Sequence, residues 1–483
     1  MKKISVLLWL YFVIVLDINF GHCLKIIDRS ENTPGNTYQP VWESLDTRPI
    51  PKWYDRAKIG IFIHWGVYSV PAHGTEWFWF NWRTNKDKSY VNYMEKNFEP
   101  NYTYQKFASQ FKAQLYDPME WATLFKASGA KYVVFTSKHH DGYAMWPTKY
   151  SFGWNALDVG PKRDLLGDLA SAIRNTTDLK FGVYHSLFEW YNPLYVKDRG
   201  NNFEDDEYVM NKVMPQLQEL VHSYRPDIIW SDGDWEAPDT YWNSTVFLAW
   251  LYNESPVKDT VVVNDRWGQN ILCKHGDVYT CEDRYNPGTL QKHKWENAMT
   301  IDEKSWGYRP EANVTDYMSI GDLIKQIVTT VSCGGNILIN VGPTSDGKIS
   351  PIYQERLLQV GTWLETNGEA IYDTVPWKIQ NDTITPNVWY TFRYDTQHLY
   401  IIFLSWPRNS DFLYVKYDGS AFGEKTEVFL VNKKQDIKLQ WTVIMSDNDD
   451  AKVEITLPSY RLAESKWAWV LRVKNSKLLR REH

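Results

Sequence analysis

Cysteine is scarce: the 483 residues hold four, with no CxxC pair and no Cys/His spacing of the kind that binds zinc. Besides Cys23 there are Cys273, Cys281 and Cys333, which allows at most one pair and a leftover thiol in the mature chain; Cys273 and Cys281 are near enough in sequence to close a small loop. After the first two dozen residues no apolar run approaches the length of a membrane span, so the mature protein is expected to be soluble. A basic face is also missing. The formal charge of −6 comes from mixed signs, which argues against a nucleic-acid partner, and the basic end KNSKLLRREH reads as a solvated tail. No glycine-rich phosphate fingerprint follows the first strand, which counts against a dinucleotide cofactor.

Aromatic side chains are plentiful, 16% of the chain with 25 Trp, and many lie beside Asp, Glu or His, as in a groove lined with indoles. Residues 1–23 read as a secretory signal peptide: a Lys pair, an apolar run from Ile4 to Leu16, then small residues near Gly21. Six Asn-x-Ser/Thr sequons, at Asn101, Asn175, Asn243, Asn253, Asn313 and Asn381, support a glycoprotein of the secretory pathway, secreted or lysosomal.

Short apolar runs recur, and each runs directly into polar residues. KIGIFIHWG ends on His64, KYVVFTS runs into Lys138-His139-His140-Asp141, and KFGVYHS carries Tyr184 and His185. Ile228-Ile229-Trp230 breaks at Ser231-Asp232-Gly233 with Asp234, Trp235, Glu236 and Trp242 beyond, and Val261–Asn264 ends in Asp265-Arg266. A weaker strand near Val278–Cys281 precedes Glu282-Asp283-Arg284, and Lys294-Trp295-Glu296 follows in a stretch read as loop. Helical segments are expected at 118–128, 164–174, 207–224 (with Pro215 as a kink), 240–252, 316–331 and 352–366. Alternation of this kind predicts an α/β fold, a (β/α)8 TIM-like barrel over residues 24–370. From about Val375 the segments are β-rich and turn-separated, which predicts a C-terminal antiparallel β-sandwich over 371–483.

In such a barrel the strand ends converge. His64, Glu76, His139, His140, Tyr184 or His185, Asp232, Arg266 or Arg284, and Glu296 would then share one edge. Two carboxylates from different strands, among His and Trp and without a metal motif, are what hydrolysis of a glycosidic bond needs.

The ordered stretches HWGVYSVPAHGTEWF, SKHHDGYAMWP, IIWSDGDWEAPDTYW, NDRWG, HKWE and SWGY resemble the α-L-fucosidases of glycoside hydrolase family 29, in particular the animal lysosomal and secreted members. The resemblance spans roughly residues 40–370 and continues into the sandwich. It implies exo-acting removal of terminal α-L-fucose from glycoproteins, glycolipids or oligosaccharides by a retaining mechanism, with no cofactor and no metal. It implies Asp232 as nucleophile, although Asp234 and Glu236 lie close by and spacing does not rank them. Glu296, in HKWE, is the acid/base candidate with Glu76 as rival, and the neighbouring Trp295 would help desolvate it. Sugar contacts fall on His64, Glu76, Trp77, His139, His140, Tyr184 and Arg284. Animal members are often multimeric. A catalytically silent fucose-binding protein on the same scaffold is the alternative expectation.

Overall fold

The computed structural model describes residues 37–445 and 451–475; the expected signal peptide, Cys23 and most of the basic tail lie outside them. Seven parallel strands form one sheet: β1 (Ile59–Ile63), β2 (Tyr132–Lys138), β3 (Lys180–Ser186), β4 (Ile228–Asp232), β5 (Val262–Val263), β6 (Glu296–Thr300) and β7 (Asn336–Val341), in the order β5-β4-β3-β2-β1-β7-β6. Apart from Lys180 at the start of β3 every one of these residues is buried, which is why the strands read as continuous apolar runs and not as alternating ones.

The two sheet edges meet through the stretch expected to be a weak strand. Val278 N–H donates to Val263 O at 3.2 Å, Tyr279 N–H to Lys294 O at 2.9 Å, and Glu296 N–H to Tyr279 O at 2.9 Å. A curled sheet is thereby stitched into a TIM-like barrel, with residues 278–280 in the eighth strand's place. The stretch read as loop around Glu296 is the start of β6. Its sequence, ENAMT, carries little of the β-branched and aromatic content that marks a strand.

Six helices cover the outside: α1 (Pro118–Ala127), α2 (Leu165–Thr176), α3 (Met214–Tyr224), α4 (Ser244–Asn253), α5 (Ile320–Ser332) and α6 (Pro351–Asn367). Asp117, Asp164 and Ser319 cap α1, α2 and α5 by accepting first-turn N–H groups. The irregularity expected at Pro215 is absorbed by a π-helical turn, Val209–Val213, that runs straight into α3 and accommodates the proline's ring and missing N–H.

The C-terminal part is antiparallel. β8 (Val375–Asn381), β9 (Val388–Arg393), β10 (His398–Phe403), β12 (Glu427–Leu430), β13 (Ile437–Leu439) and β16 (Trp469–Lys474) make a six-stranded sheet, and β11 (Phe412–Lys416), β14 (Trp441–Met445) and β15 (Ala451–Thr456) a three-stranded one. Their inner faces share one core, with Val388, Ile401, Val415, Val428, Val453 and Leu471 among its buried residues. This layer docks on α6, where Trp363 Nε1 donates to Ala468 O at 3.0 Å and Asn367 Nδ2 to Ser465 Oγ at 2.8 Å.

At the thin β5 edge, the buried Arg48 ties the N-terminal segment down. Its Nη1 donates to Asp277 Oδ2 at 2.9 Å, and Nη2 donates to Lys258 O and Val261 O. Burial pushes the Asp277 carboxyl up, and Arg48 is the main opposing charge. Arg48→Met therefore leaves a buried carboxylate uncompensated, with an expected cost of roughly 3–5 kcal/mol in urea unfolding followed by fluorescence.

Candidate active site

The C-terminal strand ends and the loops beyond them enclose a cavity of about 260 Å³. Phe62 and His64 come from the end of β1, Glu76 and Trp77 from the loop after it, and His139 and His140 from just past β2. Tyr184 comes from β3, Trp230 and Asp232 from β4, Trp235 from the turn after β4, Arg266 from beyond β5, Asp283 from beyond the closing stretch and Trp306 from beyond β6. Gly233, at φ +88°, turns the chain directly after Asp232; a side chain there would meet the Phe188 ring at 2.7 Å.

Asp232 is partnered on both carboxylate oxygens. Tyr184 Oη donates to its Oδ2 at 2.6 Å, Arg266 Nη1 donates to its Oδ1 at 3.1 Å, and His140 Nε2 lies 3.5 Å from Oδ2. Burial alone would raise this carboxyl, but the Arg266 charge, His140 and the Tyr184 hydroxyl together hold it below its ordinary range. An ionised, well-directed carboxylate results. Arg266 also donates through Nη2 to Asp283 Oδ1 at 2.7 Å and through Nε to Thr280 Oγ1 at 3.1 Å, so one guanidinium carries two pocket carboxylates. Thr280 in turn is held by Asp265, whose carboxylate also accepts the backbone N–H groups of Cys273 and Cys281, the two ends of a disulfide; Cys333 is a buried free thiol.

The imidazoles present acceptors. Ser186 Oγ gives its proton to Phe188 O, so its 2.6 Å bond with His140 uses the Nδ1 proton and leaves Nε2 bare. Asn340 Nδ2 donates to Thr300 Oγ1 and Trp306 O, which fixes Oδ1 toward His64 Nδ1 and leaves the other nitrogen of that ring bare as well. Burial lowers both rings to about 4, against Asn340 at His64 and against Asp232 at His140. Histidine-selective nitrogen-15 NMR is therefore expected to show both rings neutral at pH 5. Because the unfolded chain binds these protons at higher pH than the folded one, the stability linked to them is complete above about pH 6.5 and falls as pH drops toward 4.

Glu76 is fixed differently, its Oε2 accepting from Trp306 N at 3.0 Å, Gly307 N at 3.2 Å and Ser305 Oγ at 3.3 Å. Burial raises its carboxyl, and its own backbone N–H, with these three donors, opposes the rise. Trp77 and Trp235 stack at 6.0 Å on one side of the cavity.

Of the residues expected from sequence, Asp232, His64, Glu76, Trp77, His139, His140 and Tyr184 meet here. Glu296 and Arg284 do not. Glu296 is the first residue of β6, paired with Asn336 at the start of β7, and its carboxylate sits inside the barrel near the opposite end. Arg284 is exposed and outside the cavity lining, its guanidinium 5.8 Å from the Trp306 ring and its Nη2 donating to Glu303 O at 2.9 Å. His185 is enclosed beside Ser137, and Trp242 is fully buried with its Nε1 on Ala237 O. Arg266, the expected alternative to Arg284, does line the cavity, and the fold adds Asp283, Trp235 and Trp306. The sequence signal for Arg266 and Asp283 is that each lies just beyond a short apolar stretch. Among the described residues no group of three or more His, Cys, Asp or Glu is placed to hold a metal ion, and no helix is long and apolar enough to cross a membrane.

Comparison with known proteins bears on this geometry. The family model described as Alpha-L-fucosidase matches residues 26–369, and that described as Alpha-L-fucosidase C-terminal domain matches 380–474. The Branchiostoma floridae α-L-fucosidase is 53% identical over 438 residues, covering 90% of this chain and 96% of that protein. The human plasma α-L-fucosidase is 52% identical over 438 residues, 91% of this chain and 92% of that one. A crystal structure of a Thermotoga maritima α-fucosidase in complex with a mechanism-based inhibitor superposes with a TM-score of 0.77 at 35% identity, covering 91% of this chain and 100% of that chain.

Proposed function

The chain belongs to the α-L-fucosidase family and is a glycoside hydrolase acting on α-L-fucosides, and from this premise we propose that it works by two displacements with retention at the anomeric carbon, Asp232 attacking and Asp283 serving as acid and then base. The observation that carries this reading is the single guanidinium of Arg266 bonded to both carboxylates, which brings them to the same cavity as close neighbours, as a retaining pair requires. That the T. maritima relative was captured with a mechanism-based inhibitor supports a mechanism of this kind.

In the first step an Asp232 oxygen bonds to C1 while the C1–O bond to the departing sugar breaks, and Asp283 gives its proton to that oxygen. In the second, Asp283 takes a proton from water, the water oxygen bonds to C1, and the bond to Asp232 breaks. Arg266 supports both steps, since each leaves charge on one of the two carboxylates it holds. His64 and His140, with bare nitrogens, and the Glu76 carboxylate suit the hydroxyl protons of a fucose, while Phe62, Trp230 and Trp306 supply an apolar floor for its methyl edge. A cavity of about 260 Å³ suits one terminal sugar, hence exo action on fucosylated glycans.

Proton NMR during the first minutes of hydrolysis of an aryl α-L-fucoside tests the reading. α-L-Fucose is expected first, with the β anomer growing in by mutarotation; β first would mean single displacement. The plasma origin named for the human relative, together with sequons at Asn101, Asn175, Asn313 and Asn381 that are exposed on the fold, supports a secretory-pathway glycoprotein, secreted or lysosomal.

A further inference from the structure

Glu296 is buried within the barrel, and all its partners donate to it. Tyr54 Oη and Tyr132 Oη reach Oε2 at 2.5 and 2.6 Å, and Trp230 Nε1 reaches Oε1 at 3.1 Å. The cage is built for it. Gly60 on β1 has no side chain, and a Cβ there would lie 2.2 Å from the Tyr132 ring, so the glycine gives that phenol its place across the barrel interior. Three converging donors are what an ionised or shared carboxylate satisfies and what no apolar residue would.

One of the three donors is itself part of the site. The Trp230 ring lines the cavity from below, lies 4.7 Å beneath the Arg266 guanidinium and stacks on Tyr184 at 5.7 Å and 21°. Tyr184 and Arg266 are the two groups that hold the Asp232 oxygens. A continuous path of contacts thus runs from Glu296 through one indole to both partners of Asp232. An indole held only by packing can tilt in its slot; one whose Nε1 is tied to a caged carboxylate keeps one orientation.

We propose that Glu296 is a positioning residue for fucoside hydrolysis: it locks the Trp230 indole, and through it sets Tyr184 and Arg266 around Asp232, without touching the substrate. This rests on Asp232 being the nucleophile. Removal of Glu296 then slows turnover without selecting among leaving groups, because the loss falls on attack geometry and not on proton delivery.

The test compares Glu296→Gln, Tyr132→Phe and Trp230→Phe, each alone and Glu296→Gln with Trp230→Phe, on aryl α-L-fucosides of graded leaving-group acidity and on a fucosyl disaccharide; Tyr132→Phe removes one donor and serves if the Gln variant does not fold. For Glu296→Gln, turnover is expected to fall by about tenfold or more, equally on every substrate, with both limbs of the pH profile kept and no fucosyl azide when azide is added. Little further loss is expected in the Trp230→Phe background. A loss confined to poor leaving groups, or azide rescue giving α-fucosyl azide, makes Glu296 the acid/base and overturns the proposal. Wild-type turnover in both the Gln and Tyr132→Phe variants, or full additivity with Trp230→Phe, overturns it as well. Asp232→Ala run alongside separates the two readings: if that variant keeps its turnover the assignment of the nucleophile has failed, whatever Glu296 does.

Discussion

Replacing Asp232 by alanine is expected to lower kcat on an aryl α-L-fucoside by roughly three to five orders of magnitude, and added azide to return part of the lost turnover as β-L-fucosyl azide. The size follows from the partners. Tyr184 and Arg266 both donate to this one carboxylate and the His140 ring lies beside it, so its loss removes the attacking group and leaves two donors aimed at a void. A small anion fits that void and is held by the same donors, which is why rescue is expected, and attack from that side inverts C1 once. The fold is expected to survive, because Arg266 keeps its bond to Asp283 and its charge stays paired. Gas or liquid chromatography of the azide adduct, with its anomeric coupling constant by NMR, reads both parts. Wild-type turnover in the variant, or rescue giving the α adduct, would remove Asp232 from the role.

Much of this site was legible because barrel chemistry gathers where strands stop. Ile228-Ile229-Trp230 followed by Ser231-Asp232-Gly233, and the two histidines after KYVVFTS, mark β4 and β2 by apolar runs that end abruptly, and the structure finds both ends at the cavity. Glu296 misled for the opposite reason. Its neighbour Trp295 suggested a desolvating indole beside an acid, yet consecutive residues of a strand face opposite sides. The Trp295 indole points outside the barrel, donating from Nε1 to Cys333 O, while Glu296 points inside. Adjacency in sequence was the wrong measure of proximity. Asp283 was harder to see, since it lies in an irregular stretch without period, three residues past Thr280 and held to the site only by Arg266. Choosing between Arg266 and Arg284 needed the same long-range information: the first reaches Asp232 over Trp230, the second stays exposed beside Trp306 and bonds Glu303 O.

Asp283→Asn should separate substrates sharply. With a poor leaving group, a fucosyl disaccharide, kcat/KM is expected to fall about 10²–10⁴-fold; with an activated aryl fucoside the first step should be nearly unchanged, because a stable phenolate departs without a proton. Azide is then expected to yield α-L-fucosyl azide, since the fucosyl-enzyme forms normally and the anion replaces the water that Asp283 no longer activates. The alkaline limb of the pH profile should flatten for the same reason. Arg266 bears on how the residue can do this work. The Asp283 side chain is 48% exposed in the free protein, and a sugar seated over it takes away the water around it. Once Asp232 is esterified the guanidinium has one carboxylate left to hold, and Asp283 is then needed as a base. The ion pair thus suits the second step, and substrate cover suits the first. If Asp283→Asn loses activity equally on all leaving groups, proton delivery is not its task, and Glu76, the remaining carboxylic acid lining the same cavity, becomes the acid to replace next.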